Sequence, residues 1–209
     1  MAEIIPIISE SSDANSYLIL DSRIALIDTG AGIDRNIIDK ISIRLDPTKI
    51  DLIINTHGHA DHCGGNSYFN NASVLAHIDE IKEMEKGTLY GTYYLRGKKT
   101  SRKVDQNVKE DQTIKLGDFN FKVIHTPGHT PGGICLLEEN ERTLFTGDTL
   151  FPNGNFGRVD LGGNRVDMIN SLKKISEVDF DVLCSGHGEP TKNGHEQAIL
   201  SAKNAMAYL

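Results

Sequence analysis

Residues 54–65 read INTHGHADHCGG and crowd His57, His59, Asp61 and His62 into six positions. Neutral imidazole and carboxylate are good ligands for zinc, iron or manganese. Without a cation the cluster is costly, because imidazoles repel on protonation and a buried carboxylate needs a partner. Three more candidates lie farther along: His129 in HTPGHTPGG, Asp148 in TGDTLF and His187 in SGHGEP. Glycines flank all three and let the backbone turn sharply around a compact site. Taken alone, each of the three is as readily an ordinary polar residue as a ligand. His77, His125 and His195 are read as ordinary histidines. Cys63 adjoins the cluster, but the Gly-Gly that follows marks it as a small packing residue rather than a nucleophile.

Something must bring these residues together. EIIPII, SYLIL, IALID, IDLIIN, ASVLAH, FNFKVIH, GICLLE, RTLFTG and FDVLCSG are short apolar or alternating runs that read as strands. SSDANS and DSR read as hairpin connections. His57, His129, Asp148 and His187 each follow one of the runs, so strands sharing one sheet edge would make the candidates converge. Ile33, Ile37, Ile38 and Ile41 fall on one helical face that Pro47 closes, IDEIKEMEK reads as a helix, and Met168, Leu172 and Ile175 line another. The last helix is expected to open at Asn193 with Glu196 completing a capping box, and to run to Leu209. Residues 87–112 are polar, with Tyr90, Tyr93, Tyr94, Arg96 and Lys98; they read as an excursion from the core that offers a lid, an oligomer contact or a wall of the site, or as a solvated connection. Strands before, between and after helices imply a layered fold in a single domain spanning residues 1–209.

The bulk numbers exclude some classes. At 38% hydrophobic and 24% charged, the 209-residue chain falls in the globular range and disorder is not expected. A net charge of −7 disfavours unaided binding to nucleic acid or anionic membranes. No apolar run approaches the roughly 20 residues that span a bilayer, and MAEIIPIISE does not read as a secretory leader. Cys63, Cys135 and Cys184 are few and far apart, which points to a reducing cytoplasm and away from a disulfide framework. The expected partner is a small-molecule substrate, with homo-oligomer formation left open.

HGHADH has the H-x-H-x-D-H form of the metallo-β-lactamase superfamily. HTPGHTPGG, TGDTLF and SGHGEP follow in that family's order, after an early LIDTG that carries Asp28. Over roughly residues 15–190 the chain resembles this family, and within it the glyoxalase II (hydroxyacylglutathione hydrolase) group. The resemblance implies an α+β fold, a four-layer αβ/βα sandwich with a metal site at one edge. It implies two divalent metal ions, zinc first, with iron or manganese as alternatives. His57, His59 and His129 would hold one, Asp61, His62 and His187 the other, and Asp148 would bridge both. Asp28 would orient a histidine by hydrogen bonding. The activity implied is that of a thioesterase-like hydrolase whose metal-bridging hydroxide attacks a thioester or related activated acyl group, with Asp61 contacting the hydroxide and carrying a proton.

Arg158, in GDTLFPNGNFGRVD, matches the basic residue that binds the thiol carrier's carboxylate in that group; pairing with Asp160 is the structural alternative. The chain departs from glyoxalase II after His187. Only 22 residues follow, room for one helix and not for that group's helical domain, which leaves glutathione specificity in doubt. A rival on the same scaffold is a persulfide dioxygenase, with one iron on His57, His129 and Asp148. A nuclease fits the acidic chain poorly. A β-lactamase that uses both sites usually has cysteine where Asp148 stands.

Overall fold

Period-two alternation sets the layers. The structure, a computed structural model of the chain, describes residues 2–32, 36–86 and 102–209. The first half runs β1 (Glu3–Ile7), β2 (Ser16–Leu20), β3 (Ala25–Ile27), α1 (Asn36–Ser42), β4 (Leu52–Ile54), α2 (Ala60–Cys63), β5 (Ser73–His77), α3 (Ile78–Lys86) and β6 (Gln106–Val108). The second half runs β7 (Thr113–Lys115), β8 (Asn120–His125), β9 (Ile134–Glu138), β10 (Thr143–Gly147), β11 (Leu150–Phe151), β12 (Asn155–Phe156), α4 (Arg165–Ile175), β13 (Val182–Ser185), β14 (Thr191–Lys192) and α5 (Gly194–Tyr208). β1 to β6 form one six-stranded sheet in chain order. A second six-stranded sheet has the order β14-β13-β10-β9-β8-β7, and β11 pairs with β12 in a small ribbon.

Register lines up residues of like burial across the first sheet. Leu18, Leu26, Ile53 and Val74 pair in one row, and Tyr17, Ile27, Ile54 and Leu75 in a neighbouring one. Because side chains alternate between faces, the two rows meet different layers. The first packs with Ile37, Ile38 and Ile41 of α1 and Met84 of α3. The second packs with Phe121, Val123, Leu136 and Phe145 of the opposite sheet. On the far side, Cys135, Leu144 and Leu183 pack with Met168, Leu172 and Ile175 of α4 and Ala198, Ala202 and Ala205 of α5. The order is helix, sheet, sheet, helix, the expected α+β sandwich. The three cysteines are buried free thiols. No helix among the described residues is long and apolar enough to cross a membrane.

The two sheets meet at the end where β4, β8, β10 and β13 stop. Ile134 N donates to Thr56 O across the sheets at 2.9 Å, and Tyr17 Oη to Ser185 O at 2.7 Å. β10 and β13 run parallel, but their register slips between Phe145 and Gly147. Gly147 has φ of 48° and lies so close to Thr56 that a Cβ would collide with its hydroxyl.

Three expectations are corrected. α5 starts without the capping box: Asn193 is left-handed at φ 62° and its side chain caps nothing. Gly194 N and His195 N instead donate to the carbonyls of Asp181 and Phe180, so neighbouring backbone does the capping. Five short strands, β6, β7, β11, β12 and β14, were not read, because each has at most two apolar residues, whereas the equally short β3 and β4 are wholly apolar and lie in longer apolar runs. One of them, β6, falls inside the 87–112 segment, of which residues 87–101 lie outside the described residues. Arg102, from the same stretch, donates to the carbonyls of Asn66, Phe69 and Ala72. Ile33, Tyr90, Tyr93, Tyr94, Arg96 and Lys98 lie outside the described residues.

Candidate metal centre

Each candidate sits just past a strand end at the shared edge. His57 follows β4. His59 precedes α2, which carries Asp61 and His62. His129 follows β8, Asp148 follows β10, and His187 follows β13. The structure brings all seven together. Potential ligand atoms of His57, His59 and His129 lie within 4.8 Å of one another, as do those of Asp61, His62 and His187, and those of His57, His62 and Asp148. The Asp148 carboxylate stands between the groups: Oδ1 is 3.1 Å from His62 Nε2 and 3.7 Å from His187 Nε2, and Oδ2 is 3.5 Å from His129 Nε2. Asp61 Oδ2 is 3.3 Å from His187 Nε2. Gly186 makes room for this approach, since a Cβ there would come 2.6 Å from the His62 ring.

Hydrogen bonds behind the rings fix which nitrogen faces inward. His62 Nδ1 donates to Asp28 Oδ2 at 2.7 Å, and His129 Nδ1 to the Arg158 carbonyl at 2.7 Å. Thr56 Oγ1 donates to Asp28 Oδ2 at 2.7 Å and so accepts from His57 Nδ1, 3.2 Å away. His59 Nε2 donates to the Leu161 carbonyl at 3.3 Å. A neutral imidazole that donates outward keeps a lone pair inward, the state a metal ligand needs. The inward Nε2 atoms of His57 and His129 are buried and make no hydrogen bond among the described residues, and the equally buried His62 Nε2 and Asp148 Oδ1 face only each other and the remaining candidates. Buried polar atoms are normally satisfied. Four of them focused on one volume fit cations there.

Electrostatics agree. Burial, then the neighbouring imidazoles His62, His59 and His129, pushes His57 well below the ordinary histidine pKa. Burial and His129 lower His59 to about 4. At His62 burial opposes charge, but Asp148, Asp28 and Asp61 outweigh it and raise its pKa well above the ordinary value. Burial also opposes charge on Asp148, yet His62, His129 and His187 hold its carboxyl far below the usual range. The negative field of Asp148, Asp28 and Asp61 that raises His62 equally favours a divalent cation.

Asp28 has the orienting contact expected of it. Its backbone is left-handed at φ 54°, a rare state for a residue other than glycine. Its carboxylate also accepts from Thr56 N at 2.8 Å. Sequence reading did not single out Thr56 or the carbonyls of Arg158 and Leu161. Thr56 adjoins the motif and could have been suspected, whereas a carbonyl leaves no mark on residue identity. Cys63 is buried, its thiol donates to Gly58 O at 3.6 Å, and burial raises its pKa well above the ordinary value, so it is no poised nucleophile. His195 Nδ1 donates to the Val178 carbonyl. His77 and His125 form a separate group with Asp79. Their rings stack at 3.9 Å and 13°, so their in-plane lone pairs run side by side and do not meet at one point.

A cleft of about 840 Å³ opens onto the centre, lined by Asp148, His187, Phe151, Pro152, Arg158 and Pro190 among others. Arg158 is exposed at its rim and grips Asp160 through two hydrogen bonds of 2.6 and 2.5 Å. The ion-pair alternative is therefore present alongside the cleft position.

A model of the metallo-beta-lactamase superfamily matches residues 12–187. A probable metallo-hydrolase of Methanocaldococcus jannaschii is 36% identical over 185 residues, 84% of this chain and 88% of that protein. A hydroxyacylglutathione hydrolase of Haemophilus influenzae is 29% identical over 209 residues, 93% of this chain and 94% of that one. A protein solved in a di-iron-bound form superposes with a TM-score of 0.75 at 26% identity, over 92% of this chain and 96% of that one.

Proposed function

Because the chain belongs to the metallo-β-lactamase superfamily, and so to its metal-dependent hydrolases, we propose that it cleaves a thioester or a related activated acyl compound at a dinuclear centre. One observation carries this reading: the buried Nε2 atoms of His57, His62 and His129 converge with the Asp148 carboxylate on one volume. His57, His59 and His129 would hold one cation, Asp61, His62 and His187 the second, with Asp148 shared. The di-iron form of a structural relative and the hydroxyacylglutathione hydrolase name of a sequence relative support the reading. Zinc, iron and manganese all suit this donor set. With divalent ions bound, the site would supply a water whose pKa is lowered from 15.7 towards about 7 and a Lewis acid for a carbonyl oxygen.

The chain's own residues do the rest. Asp61 is buried enough to resist ionisation, but His62 and His187 keep its carboxyl below the ordinary value. Ionised, it would be able to accept a proton from the attacking water and return that proton to the leaving thiolate. Phe151, Pro152 and Pro190 offer the acyl group an apolar wall. An anionic group on the thiol carrier would exchange with Asp160 for the fork of Arg158.

Metal analysis of protein purified without added metal, paired with a thioester panel, tests this. The expected result is two ions per chain and thioester cleavage without oxygen. One iron per chain, with oxygen uptake on glutathione persulfide and no thioester cleavage, would replace the reading with the dioxygenase.

A further inference from the structure

Glu80 lies on α3, outside the seven candidate ligands, yet its carboxylate reaches both loops that carry His57, His59 and His129. Oε2 accepts from Gly58 N at 2.9 Å, and Oε1 from Gly132 N at 2.7 Å. Gly58 is the residue between His57 and His59. Gly132 lies three past His129, in the turn that leads into β9. One carboxylate thus ties together two segments 74 positions apart in the chain, through charge-assisted bonds roughly twice as strong as neutral ones.

The surroundings are shaped around this contact. Glu80 is 4% exposed. A Cβ on Gly58 would come 2.5 Å from Glu80 Oε2, and one on Gly132 would come 2.7 Å from Glu80 Cγ, so the absence of side chains lets the carboxylate close on both amides. Met84, one turn on, anchors α3 in the core. Burial raises the Glu80 pKa from the ordinary glutamate value, so the fold carries the cost of an interior carboxylate at this place. No comparable link runs from Glu80 to His62 or His187; His62 is held by Asp28.

We propose that Glu80 is a positioning residue for the His57–His59–His129 group: by fixing the peptides at Gly58 and Gly132 it sets the spacing of the three imidazoles and hence the affinity of the ion they hold. The proposal rests on the ligand assignment above.

The test uses full-length wild type, Glu80→Gln and Glu80→Asp, with Co²⁺ as the probe. The readouts are thermal unfolding of metal-free protein, Co²⁺ affinity by chelator competition, and the visible absorption of each bound ion. Wild type is expected to bind two Co²⁺ per chain. Gln keeps the shape but can offer an acceptor to one amide only. It should weaken one of the two ions by roughly 10–100-fold and alter that ion's absorption, leaving the other unchanged. Asp keeps the charge but is one methylene short, and should fall in between. Co²⁺ affinities and spectra like wild type in the folded variants would overturn the proposal even if thermal midpoints drop, since Glu80 would then only hold the fold together. If Glu80→Gln cannot be isolated folded, Glu80→Asp decides in the same way. A wild type that binds no Co²⁺ would overturn the ligand assignment itself, and the proposal with it.

Discussion

The two halves of the metal centre are built differently. His57, His59 and His129 are 2%, 5% and 4% exposed and are all imidazoles. Asp61 and His187, in the other half, have side chains about a third exposed, at 32% and 36%. Only His62 there is fully enclosed. The first group is preorganised from behind: outward hydrogen bonds fix its rings and Glu80 bridges its loops. The second hangs on Asp28 through His62, while His187 faces the cleft. A buried trio of imidazoles suits retention of a cation; a more open trio with a carboxylate suits proton transfer and contact with substrate.

Substitutions can break or sharpen that contrast. Asp148→Ala should do most, because under the proposed assignment both halves would lose a shared ligand. Altered second-layer partners cost roughly 10–100-fold, so this change should cost more than about 100-fold in kcat/KM and most bound metal. Retained activity on a physiological substrate would remove Asp148 from its bridging role. His187→Ala comes next: metal analysis should find one tightly held ion per chain, and loss of both ions would mean that the halves do not bind independently. Asp28→Ala should weaken chiefly the ion of the more open half, by about 10–100-fold, the mirror image of Glu80→Gln. Equal weakening of both ions, traceable to Thr56 and His57, would blur the division. Asp160→Asn is the mildest. Exposed ion pairs contribute little, so freeing Arg158 should lower KM for an anionic thioester by no more than about fivefold and leave a neutral thioester unaffected. Equal effects on both substrates would separate Arg158 from substrate charge.

Local sequence marked His57, His59, Asp61 and His62 as candidate ligands because imidazole and carboxylate crowd at tight spacing, whereas His129, Asp148 and His187 were singled out as ligands by the family resemblance. The strands leading to them were also legible, since β2, β4, β5, β8, β9, β10 and β13 carry enough apolar residues to show. Glu80 was not. In IDEIKEMEK it looks like one more acid on a solvated helix face, and only tertiary neighbours enclose it. One signal was available: Glu80 stands four residues before Met84, and i, i+4 places it on the same buried side of α3. The start of α5 failed for a similar reason. Asn193 and Glu196 have the right spacing for a capping box, but carbonyls of Phe180 and Asp181, invisible to pattern reading, already occupy the helix amides.

The slipped pairing of β10 with β13 has a consequence for how this site tolerates change. One residue inserted or deleted between Phe145 and Asp148 would shift the left-handed turn at Gly147 against β13 and so move the carboxylate away from the shared edge. Conservative exchanges of side-chain chemistry in TGDTLF should therefore be gentler on metal retention than any change in its residue count.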